Sequence, residues 1–124
     1  MPRSFILELI KPSHYDDDGY VIQWWRGSVP SNSLSSVYGL ALDAQRRQVL
    51  GSDVAIELNV RDETTAILPL PDIIRRLQGN GLNGLVCLVG VQTNQFPRAL
   101  DVARELRAAG IQVAIGGFHV SGCL

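Results

Sequence analysis

The sequence predicts a doubly wound α/β domain built on a parallel sheet. Three observations predict it: four strand patterns alternate with three helical ones, the first strand is apolar on both faces, and the polar and glycine-rich segments fall at carboxyl ends of strands. Such alternation gives right-handed crossovers with helices on both faces of the sheet. Ligands of sheets of this kind bind beyond the carboxyl ends of the strands, so function is expected there.

Phe5, Ile6, Leu7, Leu9 and Ile10 form a near-continuous apolar run ended by Lys11-Pro12, which reads as a strand buried on both faces. The segment from Ser13 to Pro30 reads as an irregular loop holding an acid triplet, Asp16-Asp17-Asp18, and the aromatics Tyr20, Trp24 and Trp25. A loop of that length in a small domain is more often functional than idle. Ser31 and Ser33 can cap the next helix, whose apolar positions Leu34, Val37, Tyr38, Ala41 and Leu42 repeat at three and four residues; it is expected to run to about Val49 and stop at Gly51.

Val54, Ile56, Leu58 and Val60 alternate with Ala55, Glu57, Asn59 and Arg61, the period of a second strand near a sheet edge. Pro71-Asp72 opens a short helix with Ile73, Ile74 and Leu77 inward, closed by Gly79-Asn80-Gly81. Leu82 to Val91 reads as a central third strand with Leu85, Val86, Leu88, Val89 and Val91 in the core, followed by the polar tetrad Gln92-Thr93-Asn94-Gln95. Pro97 just inside and Gly110 just past its end delimit a third helix with Leu100, Ala103 and Leu106 as its buried stripe. Ile111 to Ile115 is a fourth strand, ending in Gly116-Gly117-Phe118-His119-Val120-Ser121-Gly122. The expected order is 2-1-3-4, with the fourth strand an open edge through which the chain would self-associate.

The 124 residues suit one domain, and a formal net charge of −1 leaves no positive field to gather phosphate backbones, so a nucleic-acid binder is not expected. No apolar run of roughly 18 residues crosses a membrane and the first ten residues are too charged for a secretion signal, so a cytoplasmic protein is the default. Cys87 and Cys123 lack the spacing of a metal knuckle or redox pair and read as reduced thiols. A sheet that stops at a glycine loop after four strands also suggests the amino-terminal piece of a longer protein.

The stretch Val89-Gly-Val-Gln-Thr-Asn-Gln-Phe-Pro-Arg-Ala-Leu-Asp-Val-Ala-Arg, followed by Ala109-Gly-Ile-Gln-Val-Ala-Ile-Gly-Gly-Phe-His, resembles the cobalamin-binding domain that precedes the radical S-adenosylmethionine domain in cobalamin-dependent radical enzymes. The likeness extends from Phe5 onward, but its distinctive part is Val89 to Gly122. It implies a flavodoxin-like domain holding the corrinoid against the carboxyl edge of its sheet, with the nucleotide tail in a groove beside it. The Cys-x-x-x-Cys-x-x-Cys motif of the radical domain is absent, so a [4Fe-4S] cluster and S-adenosylmethionine would belong to a radical SAM domain further along the parent chain.

Candidate cofactor-binding residues are then Gly116, Gly117, His119, Gly122, Gln92, Thr93, Asn94 and Gln95. Paired glycines let backbone approach a large flat ligand, permit positive φ and offer N–H donors; the plain alternative is a tight turn. The polar tetrad suits corrin amides or a ribose and phosphate, or caps the next helix. His119 could coordinate cobalt, bond a corrin amide or tail phosphate, or satisfy a backbone carbonyl. Cobalamin mutases and methionine synthase carry Asp-x-His-x-x-Gly after the first strand, where this chain has Pro12-Ser13-His14 and Gly19, so the ligand role is not carried over. Asp62 and Glu63 read as solvated loop acids or as part of the mouth of the sheet, the acid triplet as solvated, and Trp24 and Trp25 as core or interdomain packing or a cover for the macrocycle.

Two other functions compete. A non-catalytic, flavodoxin-like ligand-sensing or regulatory domain is one, but a receiver needs an acidic pair after its first strand and an Asp after its third, where Lys11-Pro12 and Gln92-Thr93 stand. A nucleotide-binding enzyme half is the other, and it needs a glycine-rich turn after the first strand that Pro12-Ser13-His14 does not supply.

Overall fold

Four parallel strands and three helices alternate along the chain, and the computed structural model describes residues 3–23 and 32–117. The strands are β1 (Arg3–Lys11), β2 (Val54–Asp62), β3 (Gly84–Leu88) and β4 (Val113–Ile115); the helices are α1 (Asn32–Arg46), α2 (Leu70–Gly79) and α3 (Phe96–Ala108), the last entered through a 3₁₀ turn over Thr93–Gln95. Their order in the sheet is β2-β1-β3-β4, with every pair parallel, as the alternation predicts. This is the doubly wound, flavodoxin-like arrangement.

Parity along β1 explains the layers. Ile6 and Ile10 face one way and join Ile73 and Leu77 of α2, Val102 and Leu106 of α3, and Val86 and Leu88 of β3 in the larger core. Leu7 and Leu9 face the other way and meet Leu34, Val37 and Ala41 of α1 with Val89 and Leu58. Helices therefore lie on both faces, α1 alone on one and α2 with α3 on the other.

One polar residue interrupts β1. Glu8 is 1% exposed in mid-strand on the α2 face, where Arg61 Nε of β2 donates to its Oε2 at 3.0 Å and Arg76 Nη1 of α2 lies 3.5 Å from its Oε1. The second contact is too poorly formed to count as a hydrogen bond. Asn59, the register partner of Glu8 on β2, also carries a buried amide nitrogen without a hydrogen-bond partner among the described residues.

Several expectations need correcting. The third strand is shorter than the span 82–91, because Leu82 (φ +62°) and Gly90 (φ +66°) are left-handed and bracket it. Gly84 opens it where α2 and β1 converge: an added Cβ would lie 2.3 Å from Leu77 Cδ2 and 2.5 Å from the Ile6 carbonyl oxygen. Helix α1 ends at Arg46, three residues early, in a turn where Gln48 has φ +51°. Tyr38 does not face the core but is 39% exposed beside Val60 at the outer edge of β2. In α3 the buried residues are Ala99, Val102 and Leu106, a stripe one residue from that of Leu100 and Ala103, or about 100° of helix rotation.

The loop after β1 is also more ordered than expected. Tyr15 and Val21 form an antiparallel bridge, Ile22 N–H donates to the His14 carbonyl, Asp16 N–H to that of Tyr20, and Gly19 turns at φ +87°. Asp16 accepts the N–H groups of Asp18 and Tyr20 within this hairpin, so the acid triplet makes a turn. Trp24 and Trp25 lie outside the described residues, as does the Ser31 cap. No helix among the described residues is long and apolar enough to cross a membrane.

Candidate functional site

The crevice where a doubly wound sheet changes direction lies between the carboxyl ends of β1 and β3. Here side chains fill it. Gln95 is buried, its Nε2 donating to the Pro12 carbonyl at 2.9 Å and its Oε1 accepting the Gln92 N–H at 3.0 Å. Beside it, Glu63 Oε1 accepts the Ser13 N–H at 3.0 Å, and Arg98 grips both oxygens of Glu63, Nε to Oε1 at 3.0 Å and Nη2 to Oε2 at 2.7 Å. Tyr15 completes the cluster, its hydroxyl donating to Asp101 while its ring lies under the Arg98 guanidinium, 5.8 Å from ring centroid to Cζ.

Glu63, then, is not a solvated loop acid: it is 2% exposed and held by a bidentate partner. The hydrogen bonds to Glu63 raise the Arg98 pKa further above its ordinary value. Burial, reinforced by the bond to Asp101, raises that of Tyr15. The cluster clips the β1 hairpin to β2 and α3.

Open space lies one strand over. A cleft of about 580 Å³ runs along the α1 face at the carboxyl ends of β3 and β4, within the usual range for small-molecule sites. Its walls are Cys87, Val89, Ala114 and Ile115 from the sheet and Val37 from α1, with the Ser33 and Ser36 hydroxyls on the helix side and the backbone of Gly90, Gly116 and Gly117 at the end. It is mostly apolar with a few polar groups at one end. Burial pushes the Cys87 thiol up from its ordinary pKa, so it sits there as a neutral thiol.

The two glycines of the fourth strand end play different parts. Gly116 continues the ladder, its N–H donating to the Leu88 carbonyl at 2.9 Å and its carbonyl accepting the Val91 N–H at 3.0 Å. Its own Cβ position is open, with nothing among the described residues within 4 Å. Gly117, at φ +149°, is pressed onto backbone: a Cβ there would lie 2.3 Å from Val91 N and 2.4 Å from Val91 O. The pair therefore divides into an open gap on the cleft at Gly116 and a packing requirement at Gly117, and the Gly116 N–H is already engaged.

Of the other sequence candidates, Gln92, Thr93, Asn94 and Gln95 do not line the cleft. They form the 3₁₀ entry to α3, with Gln95 turned inward. His119 and Gly122 lie outside the described residues. Sequence reading passed over Gly90 and Ser36 as site residues and took Ser33, which lies inside α1, for a helix cap. A glycine inside an apolar strand pattern is itself a signal of close backbone approach, and Gly90 makes one: a Cβ there would lie 3.1 Å from Ser33 Cβ. Among the described residues no group of three or more His, Cys, Asp or Glu side chains could hold a metal ion. No family model matches the chain, and no curated protein or solved structure matches it.

Proposed function

We propose that this chain is the cobalamin-binding module of a cobalamin-dependent radical S-adenosylmethionine enzyme. The observation that carries the reading is the cleft of about 580 Å³ opening at Gly116, at the strand end whose Gly-Gly-x-His sequence carries the family resemblance. Apolar walls, a gap at Gly116 and hydroxyls at one end suit the nucleotide tail of a corrinoid, with the macrocycle above the carboxyl edge of the sheet. The described cleft residues would hold it by burial and backbone contact, since none among them carries an imidazole. Bound cobalamin would supply a methyl carrier or radical partner; this chain's share is to bind, orient and shield. The radical step belongs to a domain with its own iron–sulfur cluster. The reading sets the protein in the cytoplasm, where Cys87 remains a thiol.

The test is titration of hydroxocobalamin into the chain, followed by equilibrium dialysis and visible absorption. Saturable binding is expected, weak because one side of the macrocycle would stay in water. Gly116→Phe should abolish it without lowering the urea unfolding midpoint. Absence of saturable binding, or equal binding by Gly116→Phe, would overturn the assignment.

A further inference from the structure

Lys11 ends β1 on the same face as Leu7 and Leu9, which points its side chain toward α1 and the cleft rather than toward Glu63 and Arg98. Its ammonium comes to the place where Gly90 forms the cleft wall. A Cβ on Gly90 would lie 3.5 Å from Ser33 Oγ and 3.6 Å from Lys11 Nζ, so an ammonium and a hydroxyl converge on one point of the rim. Gly90 and Ser33 both line the cleft, which ties that point to the cavity.

No carboxylate neutralises Lys11 among the described residues. Asp62, its register partner on β2, turns instead to the N–H and hydroxyl of Thr64. Glu63 is taken by Arg98, Asp16 by its own hairpin, and the first turn of α1 contains no acid. Lys11 is half-buried, and its ammonium, with no counter-charge among the described residues and set at the rim of an apolar cleft, is suited to an anion brought by the ligand.

We infer that Lys11 and Ser33 form a phosphate subsite at the rim of the cleft, which takes the phosphate ester of a nucleotide whose flat heterocycle fills the apolar part. This deepens the cobalamin reading and rests on it: the ester would be that of the cobalamin nucleotide tail. A free mononucleotide carries the same chemistry, and the experiment separates the two sources.

Three probes are titrated into the full chain: hydroxocobalamin, cobinamide, which lacks the nucleotide and its ribose phosphate, and adenosine monophosphate. Lys11→Met, which keeps the aliphatic stem, should weaken cobalamin about tenfold or more and leave cobinamide unchanged, while Lys11→Arg stays within a few fold of wild type. Ser33→Asp, an exposed change that sets a carboxylate beside the ammonium, should weaken cobalamin similarly and serves if Lys11→Met lowers the urea midpoint. Equal effects on cobalamin and cobinamide, or none on either, would overturn the subsite while leaving the cofactor assignment standing. Lys11-dependent binding of adenosine monophosphate without either corrinoid would uphold the subsite and sink the cobalamin reading. Failure of all three probes to bind would end both.

Discussion

Arg98, in the first turns of α3, and Glu63, just past the end of β2, meet in a bidentate ion pair with contacts of 3.0 and 2.7 Å although 35 residues separate them. Their side chains are 19% and 2% exposed, so the pair is largely out of water. Removing one partner strands the other. Arg98→Met should cost about 3 kcal/mol, read as a fall in the urea unfolding midpoint, because it leaves Glu63 buried and uncompensated. The double change Arg98→Met with Glu63→Leu should recover much of the loss. A double variant as unstable as the single one would show that the pair contributes more than mutual neutralisation.

Adjacent glycines should respond in opposite ways. Gly117→Ala drives a Cβ into the Val91 backbone at a left-handed φ and should cost at least about 2 kcal/mol. Gly116→Ala meets nothing and should change stability by less than about 0.5 kcal/mol. Urea titration of the two variants side by side distinguishes packing from ligand access. Equal destabilisation would contradict the division of labour described for this loop.

Within the polar tetrad the same contrast applies. Gln95→Leu leaves the Pro12 carbonyl and the Gln92 N–H without their partner, at a cost of about 2 kcal/mol. Asn94→Ala, on the exposed side of the turn, should be neutral within about 0.5 kcal/mol. Neither substitution should alter cobalamin affinity in the folded protein, because the tetrad does not line the cleft. A selective loss of affinity in Asn94→Ala would return this turn to the site.

Alkaline pH should weaken the fold in two stages. Cys87 has its pKa raised above 9.0 by burial and Tyr15 above 10.0 by burial and its bond to Asp101. For both groups the folded state holds the proton more tightly than the unfolded chain, so stability is complete below the unfolded pKa and falls as pH rises through the folded one. Urea midpoints should therefore begin to drop above pH 9, and Cys87→Ala should remove the first stage of the fall while leaving the second. A midpoint flat to pH 11 would count against both. In a Cys123→Ser background, cobalamin should also slow alkylation of Cys87, which lines the cleft.

The outer edge of β4 pairs with no other strand among the described residues. Association of two copies through that edge is expected, visible as a concentration-dependent rise in sedimentation coefficient. Ala114→Lys, a charge at the exposed side chain of that edge strand, should reduce it. A monomer at high concentration would remove this expectation.

The strand order and both helical faces were legible because they depend on local patterns: apolar runs in β1 and β3, period two in β2, and Pro97 with Gly110 around α3. What stayed hidden depends on distant partners. Nothing near Glu63 announces Arg98, so a loop acid looked solvated. Gly116 and Gly117 look alike in sequence, and only the Val91 backbone tells them apart. The inward turn of Gln95 depends on an unpaired Pro12 carbonyl at the end of another strand. In the candidate site, the strand-end glycines could be read from their position, whereas Lys11, Ser33 and Gly90 become neighbours only when β1, α1 and β3 come together.

Glu8, set between Arg61 and Arg76 in mid-strand, also limits how the sheet can be misassembled. Side chains alternate faces along a strand, so a shift of β1 by one residue would carry this carboxylate from beside its two arginines to the apolar layer under Leu34 and Ala41. No cation of that layer could follow it from β2 or α2. An uncompensated buried carboxylate costs several kcal/mol, a large part of the stability of a domain this size. The slipped pairing is thereby excluded from the compact states the chain can occupy, and a central strand that is otherwise almost uniformly apolar has one alignment with its neighbours.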